Sequence, residues 1–127
     1  MLVEEVLARK GHVIHTIAPD ATLLDVALVL MDLAIGALVC TDAAGGIVGI
    51  VSERDLARAM ARFGAEAVGK PVAEVMTRDV VACSPSDKVE DLLDIMTETR
   101  CRHLPVVSEG MAVGMVSIGD LVKVRRD

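Results

Sequence analysis

Apolar and polar residues follow one another in an order that predicts the same five elements twice along the chain. In the first copy, strands are predicted at 13–17, 37–41 and 47–51, and helices at 22–33 and 53–63. In the second copy, strands are predicted at 80–83, 103–107 and 112–116, and helices at 89–99 and 118–124. A short helix over 2–9 is predicted before the first copy, and a helical turn that ends near Met76 lies between the copies. Each copy therefore has the order β-α-β-β-α.

A phrase of ten residues supports this duplication, because Gly49–Arg58 returns as Gly114–Lys123 with five identical positions. Both phrases share the skeleton Gly-x-Val-Ser-x-x-Asp-Leu, which indicates one duplicated structural unit. The predicted class is α/β (α+β), with two repeats related by a pseudo-twofold axis and small mixed sheets packed together. The predicted division is an N-terminal helix in 1–11, a first repeat in 12–63, a linker in 64–76 and a second repeat in 77–127.

Composition limits the classes of function. The chain has 127 residues, so each half alone is close to the size at which a core becomes marginal, and a shared core is expected. Phe63 is the only aromatic residue, so any adenine would have to lie between aliphatic side chains. The formal net charge is −6, whereas a nucleic-acid-binding protein normally has a basic surface, so the composition does not suit a nucleic-acid-binding protein. The apolar stretch 26–40 is interrupted by Asp32 and is shorter than the ~20 residues of a membrane span.

With no membrane segment and no leader-like N-terminus, the sequence predicts a cytoplasmic protein.

Cys40 and Cys83 lie in predicted strands, where a free thiol packs as a small hydrophobic group. Cys101-x-His103 supplies two of the four N or S ligands of a zinc site, so no metal is predicted. Five methionines are predicted to fill the core: Met31, Met60, Met76, Met96 and Met115.

The pattern Ser-x-x-Asp, present as Ser52 with Asp55 and as Ser117 with Asp120, has two compatible interpretations. In the first, each Ser caps a helix and each Asp completes a capping box, with about 1 kcal/mol per cap. In the second, the helix N-terminus that follows a strand binds an anion. The Ser hydroxyl would then contact a phosphate, and the carboxylate would accept hydrogen bonds from the two neighbouring hydroxyls of a ribose. A cap can also bind a ligand, so the sequence leaves both interpretations open.

The chain resembles a tandem pair of cystathionine β-synthase (CBS) domains, the Bateman module, in its small stand-alone bacterial form. The resemblance rests on the two Gly-x-Val-Ser-x-x-Asp-Leu motifs, on Val75-Met76-Thr77, and on 80–85 and 102–106 in their order along the chain. It implies a regulatory module that binds an adenosine-containing ligand, namely AMP, ADP, ATP, NAD(H) or S-adenosylmethionine, in the cleft between two repeats. It also implies a homodimer and an unidentified protein partner. The charge and the apolar pattern described above predict no nucleic-acid partner and no membrane.

The resemblance further implies two sets of nucleotide-binding residues, each drawn from both repeats. The first set is Ile50, Ser52, Arg54, Asp55, Val80, Val81, Arg100, Arg102 and His103. The second set is Ile14, His15, Met115, Ser117 and Asp120. Basic residues are concentrated in the first set. The Asp55 site is therefore predicted to prefer a charged phosphate, and the Asp120 site to have less positive charge around it.

Several of these side chains have alternative roles. Arg100 and Arg102 also suit a solvated strand edge, and His103 also suits a core histidine. One predicted helix face has an arginine at every fourth position, which is typical of a solvated stripe but also suits a contact with phosphate or a partner subunit. These residues are Arg54, Arg58 and Arg62.

No enzymatic activity and no catalytic cofactor are predicted. Ser52, His103 and Asp55 could be drawn as a triad, but the second Ser-x-x-Asp has no matching histidine. The Gly-x-Ser-x-Gly, P-loop and His-Glu-x-x-His motifs do not occur in the chain. The alternative function is a ligand-free module that dimerises or docks onto a partner, in which Asp55 and Asp120 would serve only as caps.

Overall fold

The computed structural model describes residues 1–126, and the side chains of residues 1–124, as a mixed α+β fold of the predicted class. The strands are β1 (Thr16–Ile17), β2 (Ala37–Thr41), β3 (Ile47–Ser52), β4 (His103–Ser108) and β5 (Met111–Ser117). The helices are α1 (Val3–Lys10), α2 (Leu23–Leu33), α3 (Glu53–Phe63), α4 (Val72–Val75), α5 (Val89–Thr99) and α6 (Ile118–Arg126). A 3₁₀ helix covers Gly64–Gly69 between α3 and α4.

The chain forms two compact units. One unit contains residues 15–80, and we call it the Asp55 unit. The other contains residues 1–14 together with the chain from Val81 onward, and we call it the Asp120 unit. Helix α1 therefore belongs to the unit built mainly from the second half of the chain, whereas α4 belongs to the unit built from the first half.

The Asp55 unit has a three-stranded sheet in the order β1-β2-β3, with β1 parallel and β3 antiparallel to β2. Helix α2 begins at Leu23 because Thr22 caps it: the Asp25 amide donates to Thr22 Oγ1 at 3.2 Å, and the Thr22 amide donates to Asp25 Oδ2 at 2.9 Å. Apolar side chains from α2, the sheet and the 3₁₀ helix form the core, which includes Leu23, Val26, Leu30, Leu38, Cys40, Val51 and Ala67.

The Asp120 unit has a two-stranded antiparallel sheet, β4-β5. Helices α1, α5 and α6 supply most of its core, which includes Val3, Val6, Leu7, Leu92, Met96, Leu104, Val116 and Leu121. Helix α1 packs by one face, since Val3, Val6 and Leu7 are buried while its glutamates are exposed.

Two predicted strands differ from the structure. Strand β1 has two residues instead of five, and Val13 is 71% exposed. The strand predicted at 80–83 does not form; within it Cys83 makes an isolated parallel bridge with Val106. The chain leaves the sheet immediately afterwards, because the Ser84 amide donates to Asp87 Oδ2 at 2.7 Å and forms a turn.

One glycine in each unit allows a short helix to lie against the sheet. A Cβ placed on Gly49 would lie 2.6 Å from Met76 Sδ, and a Cβ placed on Gly114 would lie 2.7 Å from Leu7 Cδ2. Both separations are far below a normal contact, so the approach of each short helix requires glycine. Met76 follows α4 and Leu7 lies in α1, so the two short helices have equivalent places in the two units.

The methionine and cysteine predictions have mixed outcomes. Met76 and Met96 are buried as predicted, but Met31 is 73% exposed and Met60 is 64% exposed, which is incompatible with core filling. Both lie on outward faces, Met31 on α2 and Met60 on α3. Two cysteines are buried as predicted. These are Cys40 and Cys83.

Candidate functional site

The Ser-x-x-Asp motif of the Asp55 unit lies where a strand meets a helix. Strand β3 ends at Ser52, whose backbone is extended, and α3 begins at Glu53. The Ser52 amide donates to Asp55 Oδ2 at 2.9 Å, and the Asp55 amide donates to Ser52 Oγ at 3.3 Å. The Ser52 hydroxyl also donates to Asp55 Oδ2 at 3.1 Å. The predicted capping box is therefore confirmed, and it holds the carboxylate at the N-terminus of α3.

Thr77 is the next partner of this carboxylate. Its hydroxyl donates to Asp55 Oδ1 at 3.2 Å. The backbone of Thr77 is fastened to β3, because Ile50 and Thr77 exchange amide–carbonyl bonds of 2.9 and 2.8 Å. Asp55 is only 6% exposed, and its hydrogen bonds from Ser52 and Thr77 satisfy it at that depth.

A groove of about 250 Å³ adjoins Asp55 within the same unit. It lies between one face of α3 and the segment around α4, and its lining is Asp55, Arg58, Ala59, Arg62, Phe63, Glu74, Val75 and Thr77. Two cations lie over the Phe63 ring: Arg62 Cζ is 5.0 Å and Lys70 Nζ is 4.7 Å from its centroid. The Phe63 ring, the only aromatic ring of Phe, Tyr or Trp type in the sequence, is therefore already in contact with cations. Arg58 and Arg62, which the sequence left as either a solvated stripe or a contact surface, line a groove.

The motif of the Asp120 unit has the same cap. The Ser117 amide donates to Asp120 Oδ2 at 2.8 Å, and the Asp120 amide donates to Ser117 Oγ at 3.1 Å. The next partner is different, because Lys10 at the end of α1 reaches this carboxylate. Lys10 Nζ lies 2.7 Å from Asp120 Oδ2 and 2.7 Å from the Met115 carbonyl oxygen.

The ion pair places at Asp120 a positive charge that the sequence did not predict. Partial burial alone would raise the pKa of the Asp120 carboxyl. The hydrogen bond from Lys10, the hydrogen bonds from Ser117 and the charge of Lys10 more than offset that effect, so the pKa of Asp120 is lowered. The sequence analysis did not assign Lys10 to this site.

The buried thiols near the sheets are poor nucleophiles. Burial and, less strongly, the charge of Asp55 raise the pKa of Cys40 to about 11. Burial and the charge of Asp87 raise the pKa of Cys83 to about 12. Both thiols therefore remain protonated at neutral pH, as core packing requires.

Some of the predicted site residues lie in the Asp55 unit. Ile50 pairs with Thr77 beside Ser52 and Asp55, and Val80 follows in the same unit, half-buried. Arg54 is an exposed residue in the first turn of α3. His15 lies just before β1, and its carbonyl oxygen accepts from the Val39 amide at 3.2 Å.

The remaining predicted residues lie in the Asp120 unit. His103 is directly opposite Ser117 in the β4-β5 ladder, and the Arg102 carbonyl accepts from the first amide of α6 at 2.8 Å. Arg100 lies off the strand, as the left-handed residue that ends α5, with φ of 58°. Val81 packs partly against the core of this unit, Met115 is half-buried in β5, and Ile14 is half-buried near the end of the N-terminal segment. The combination of these residues with Asp55, and of His15 with Asp120, stays a prediction.

A repeated pattern in the sequence precedes both Lys10 and Thr77. Val3-x-Glu5-Val6 at the start of the chain recurs as Val72-x-Glu74-Val75. Each copy forms the short helix that covers the glycine of a motif. Lys10 follows the first copy and contacts Asp120, and Thr77 follows the second copy and contacts Asp55.

A protein-family model named CBS domain matches residues 3–62 and again 72–127. The chain belongs to the CBS domain family. Both matches begin at the first residues of the two short helices, α1 and α4. Each family repeat in this chain therefore includes the short helix before the first strand.

Known structures and sequences agree with this assignment. The CBS-domain containing protein ATU1752 from Agrobacterium tumefaciens is 42% identical, with a TM-score of 0.97 over 98% of this chain and 99% of that one. A 17.7 kDa protein of Acidianus ambivalens is 34% identical over 115 residues, which are 90% of this chain and 68% of that protein. The CBS domain pair of protein MJ0100, solved in complex with 5′-methylthioadenosine and S-adenosyl-L-methionine, is 25% identical. Its TM-score is 0.88, over 99% of this chain and 96% of that chain.

Among residues 1–126, the helices are too short or too polar to cross a membrane. Within the same part of the chain, three or more His, Cys, Asp or Glu side chains do not gather as a metal site would require.

Proposed function

We propose that this protein is a regulatory module that binds an adenosine-containing ligand through the Asp55 motif. The ligand class comprises AMP, ADP, ATP, NAD(H) and S-adenosylmethionine. The observation that carries the proposal is the Asp55 carboxylate, which is buried, fixed by a capping box and by Thr77, and part of the lining of a groove. A helix cap alone requires neither the burial nor the groove, as the exposed capping box of Asp25 on α2 illustrates.

The chemistry of the motif suits a ribose. A fixed carboxylate can accept hydrogen bonds from two adjacent hydroxyls, and charge assistance strengthens such bonds. The N-terminus of α3 favours negative charge nearby, and Arg58 and Arg62 in the groove add two cations suited to phosphate. Aliphatic side chains such as Ile50 would flank the base, since Phe63 is covered by Arg62 and Lys70.

A related structure supports the ligand class. The CBS domain pair of MJ0100 was solved with two ligands that both contain adenosine, 5′-methylthioadenosine and S-adenosyl-L-methionine. We carry over the adenosine moiety, which the two ligands share, and leave the group at the 5′ position to experiment. Ile14, His15, Val80, Val81, Arg54, Arg100, Arg102 and His103 remain proposed contributors.

The proposed mechanism is linkage. A ligand that binds one conformation of the module more tightly raises the population of that conformation, and a partner protein would respond to it. The effect is limited by the difference in ligand affinity between the two conformations. The proposal assigns no catalysis to the chain. The described cysteines are free, which fits the reducing conditions of the cytoplasm, where we propose that the protein works.

A thermal-shift titration tests the proposal. Wild type, Asp55→Asn and Asp25→Asn are each melted with AMP, ADP, ATP, NAD, NADH, S-adenosylmethionine and 5′-methylthioadenosine. A ligand at 100 times its dissociation constant should add about 2.7 kcal/mol to the free energy of unfolding of wild type. We expect Asp55→Asn to remove most of that stabilisation. Asp25→Asn is the matched control, because it alters a similar cap on α2 and should leave the ligand effect unchanged.

Two results would oppose the proposal. If no ligand in the panel raises the melting temperature of wild type, the Ser-x-x-Asp motifs serve as caps alone. If a ligand stabilises Asp55→Asn as much as wild type, the ligand binds elsewhere in the chain.

An exposed apolar stripe supports a second role, in self-association. Leu24 and Leu28 on α2 are 48% and 47% exposed, and Met31 one turn further is 73% exposed. Met60 on α3 is 64% exposed. We propose that this stripe, Leu24, Leu28, Met31 and Met60, contacts a second copy of the chain in a homodimer. An unpartnered run of large apolar side chains on a helix marks a contact surface.

Sedimentation velocity on wild type, Met31→Lys and Met111→Lys tests the homodimer. Met111 is the control because it is 59% exposed on β5 and belongs to the other unit. We expect dimers for wild type and Met111→Lys and monomers for Met31→Lys. A monomeric wild type would contradict the homodimer. A dimeric wild type that no adenosine ligand stabilises would favour the alternative, a ligand-free dimerisation module.

A further inference from the structure

The Asp120 carboxylate already has an occupant. Lys10 Nζ lies 2.7 Å from Asp120 Oδ2 and 2.7 Å from the Met115 carbonyl oxygen, so one ammonium group engages two acceptors of the motif. Both acceptors belong to residues expected to face a nucleotide. An ammonium group has three N–H donors, so Lys10 can donate to the Met115 carbonyl oxygen without giving up its hydrogen bond to Asp120.

The donor that reaches Asp55 from outside its motif is weaker. Thr77 offers a neutral hydroxyl to Asp55 Oδ1 at 3.2 Å, whereas Lys10 offers a full charge at 2.7 Å. Hydrogen bonds between two charged groups are shorter and stronger than those with a neutral partner. A ligand hydroxyl could therefore join or replace Thr77 at Asp55 at lower cost than it could replace Lys10 at Asp120.

Lys10 is also held in place by its helix. Val3, Val6 and Leu7 on α1 are buried in the Asp120 unit, and Leu7 lies against Gly114. Helix α1 ends at Lys10, one turn beyond these anchors, so the packing of the helix fixes the backbone from which the side chain reaches Asp120. The ammonium group belongs to the same unit as Asp120. Its competition with a ligand for Asp120 therefore does not depend on the protein concentration.

We propose that Lys10 is a specificity-determining residue that excludes ribose hydroxyls from the Asp120 motif, so that each chain binds one nucleotide, at Asp55. The inference rests on the proposed function for its ligand. Of the two motifs for which the sequence predicts binding residues, one is then open and the other is closed by the chain itself.

Isothermal titration calorimetry tests the exclusion, with the panel ligand that most stabilises wild type, or with AMP if none does. Lys10→Met removes the charge and the donors but retains an unbranched side chain, and Lys10→Arg is the matched control that keeps a cation. We expect one site per chain in wild type and in Lys10→Arg, and two sites in Lys10→Met. Adding Asp120→Asn to Lys10→Met should return the count to one. Circular-dichroism melting confirms that each variant is folded.

Other outcomes separate this inference from the proposed function. If Lys10→Met still binds one ligand and Asp55→Asn abolishes it, the exclusion is wrong and the function stands. Two sites in wild type, or weaker binding in Lys10→Met because Lys10 recruits a phosphate, would also overturn the exclusion alone. If wild type binds nothing and Lys10→Met binds one ligand through Asp120, the exclusion stands and binding at Asp55 is wrong. If neither binds, both are wrong.

Discussion

The two Ser-x-x-Asp motifs have the same cap and differ in the group that reaches the carboxylate from outside the motif. The Ser52 and Ser117 amides donate to their aspartates at 2.9 and 2.8 Å. Beyond the cap, Asp55 accepts from the Thr77 hydroxyl at 3.2 Å, whereas Asp120 forms an ion pair with Lys10 at 2.7 Å.

This difference shows that a duplicated motif can have two different surroundings. The shared phrase specifies a strand end, a glycine, a capping serine and a carboxylate, because those residues make their contacts within the phrase. The charge next to the carboxylate depends on the segment that packs over the glycine. Thr77 follows α4 and Lys10 ends α1, so the difference between the two carboxylates originates outside the repeated phrase.

The largest expected effect comes from separating α1 from its motif. In Gly114→Val, the new Cβ would lie 2.7 Å from Leu7 Cδ2, so the buried Leu7 side chain, or α1 with it, must move away from β5. We expect a loss of about 3 kcal/mol in the free energy of unfolding, measured by urea denaturation. Gly69→Val is the control, because nothing lies within 4 Å of a Cβ there and its φ is not positive. Equal losses in the two variants would mean that α1 does not depend on Gly114.

A smaller effect is expected from truncating the buried carboxylate. Asp55→Ala removes the acceptor of the Ser52 amide, the Ser52 hydroxyl and the Thr77 hydroxyl at a position that is 6% exposed. Donors left buried without partners cost more than a lost cap, so we expect about 2 kcal/mol. Asp25→Ala, an exposed cap with similar geometry, should cost about 1 kcal/mol. A cost for Asp55→Ala no larger than for Asp25→Ala would contradict the special environment of Asp55.

Much of the fold could be predicted because its signals are local. The capping boxes at Thr22 and Ser52 placed the starts of α2 and α3 correctly, and Gly64 marked the end of α3. The strand expected at 80–83 was wrong because its apolar pattern does not show that the chain turns at Ser84. Exposure of Met31 was missed for a similar reason, since an apolar helix does not reveal how much of its surface the core can cover.

The site was predicted less completely, because its distinguishing contacts join distant parts of the chain. Ser52 and Asp55 are three residues apart and their bond follows from the spacing. Lys10 and Asp120 are 110 residues apart, and their pairing requires α1 to lie against the second half of the chain. The recurrence of Val3-x-Glu5-Val6 later in the chain was the available clue, but recognising it would not have specified which unit each helix joins.

The smallest expected effect is the pH-dependent contribution of Lys10. The pKa of Asp120 in the folded protein is lowered below 3.8, so the unfolded chain binds this proton more readily. The contribution of the Lys10–Asp120 pair to the free energy of unfolding is therefore complete above the unfolded pKa. It is lost as the pH falls through the lower pKa of the folded protein. Because Lys10 and Asp120 are partly exposed, Lys10→Met should cost less than about 1 kcal/mol at pH 7.

Urea denaturation of wild type and Lys10→Met from pH 7 to pH 3 measures this difference. The difference in the free energy of unfolding between wild type and Lys10→Met should stay constant down to about pH 5. It should then decrease as Asp120 takes up its proton. Lys70→Met, which breaks a looser pair with Glu74 at 3.8 Å, is the control for removing a partly exposed lysine. A gap that persists unchanged at pH 3 would mean that Lys10 stabilises α1 by packing of its stem, and that the contrast between the two carboxylates is not one of charge.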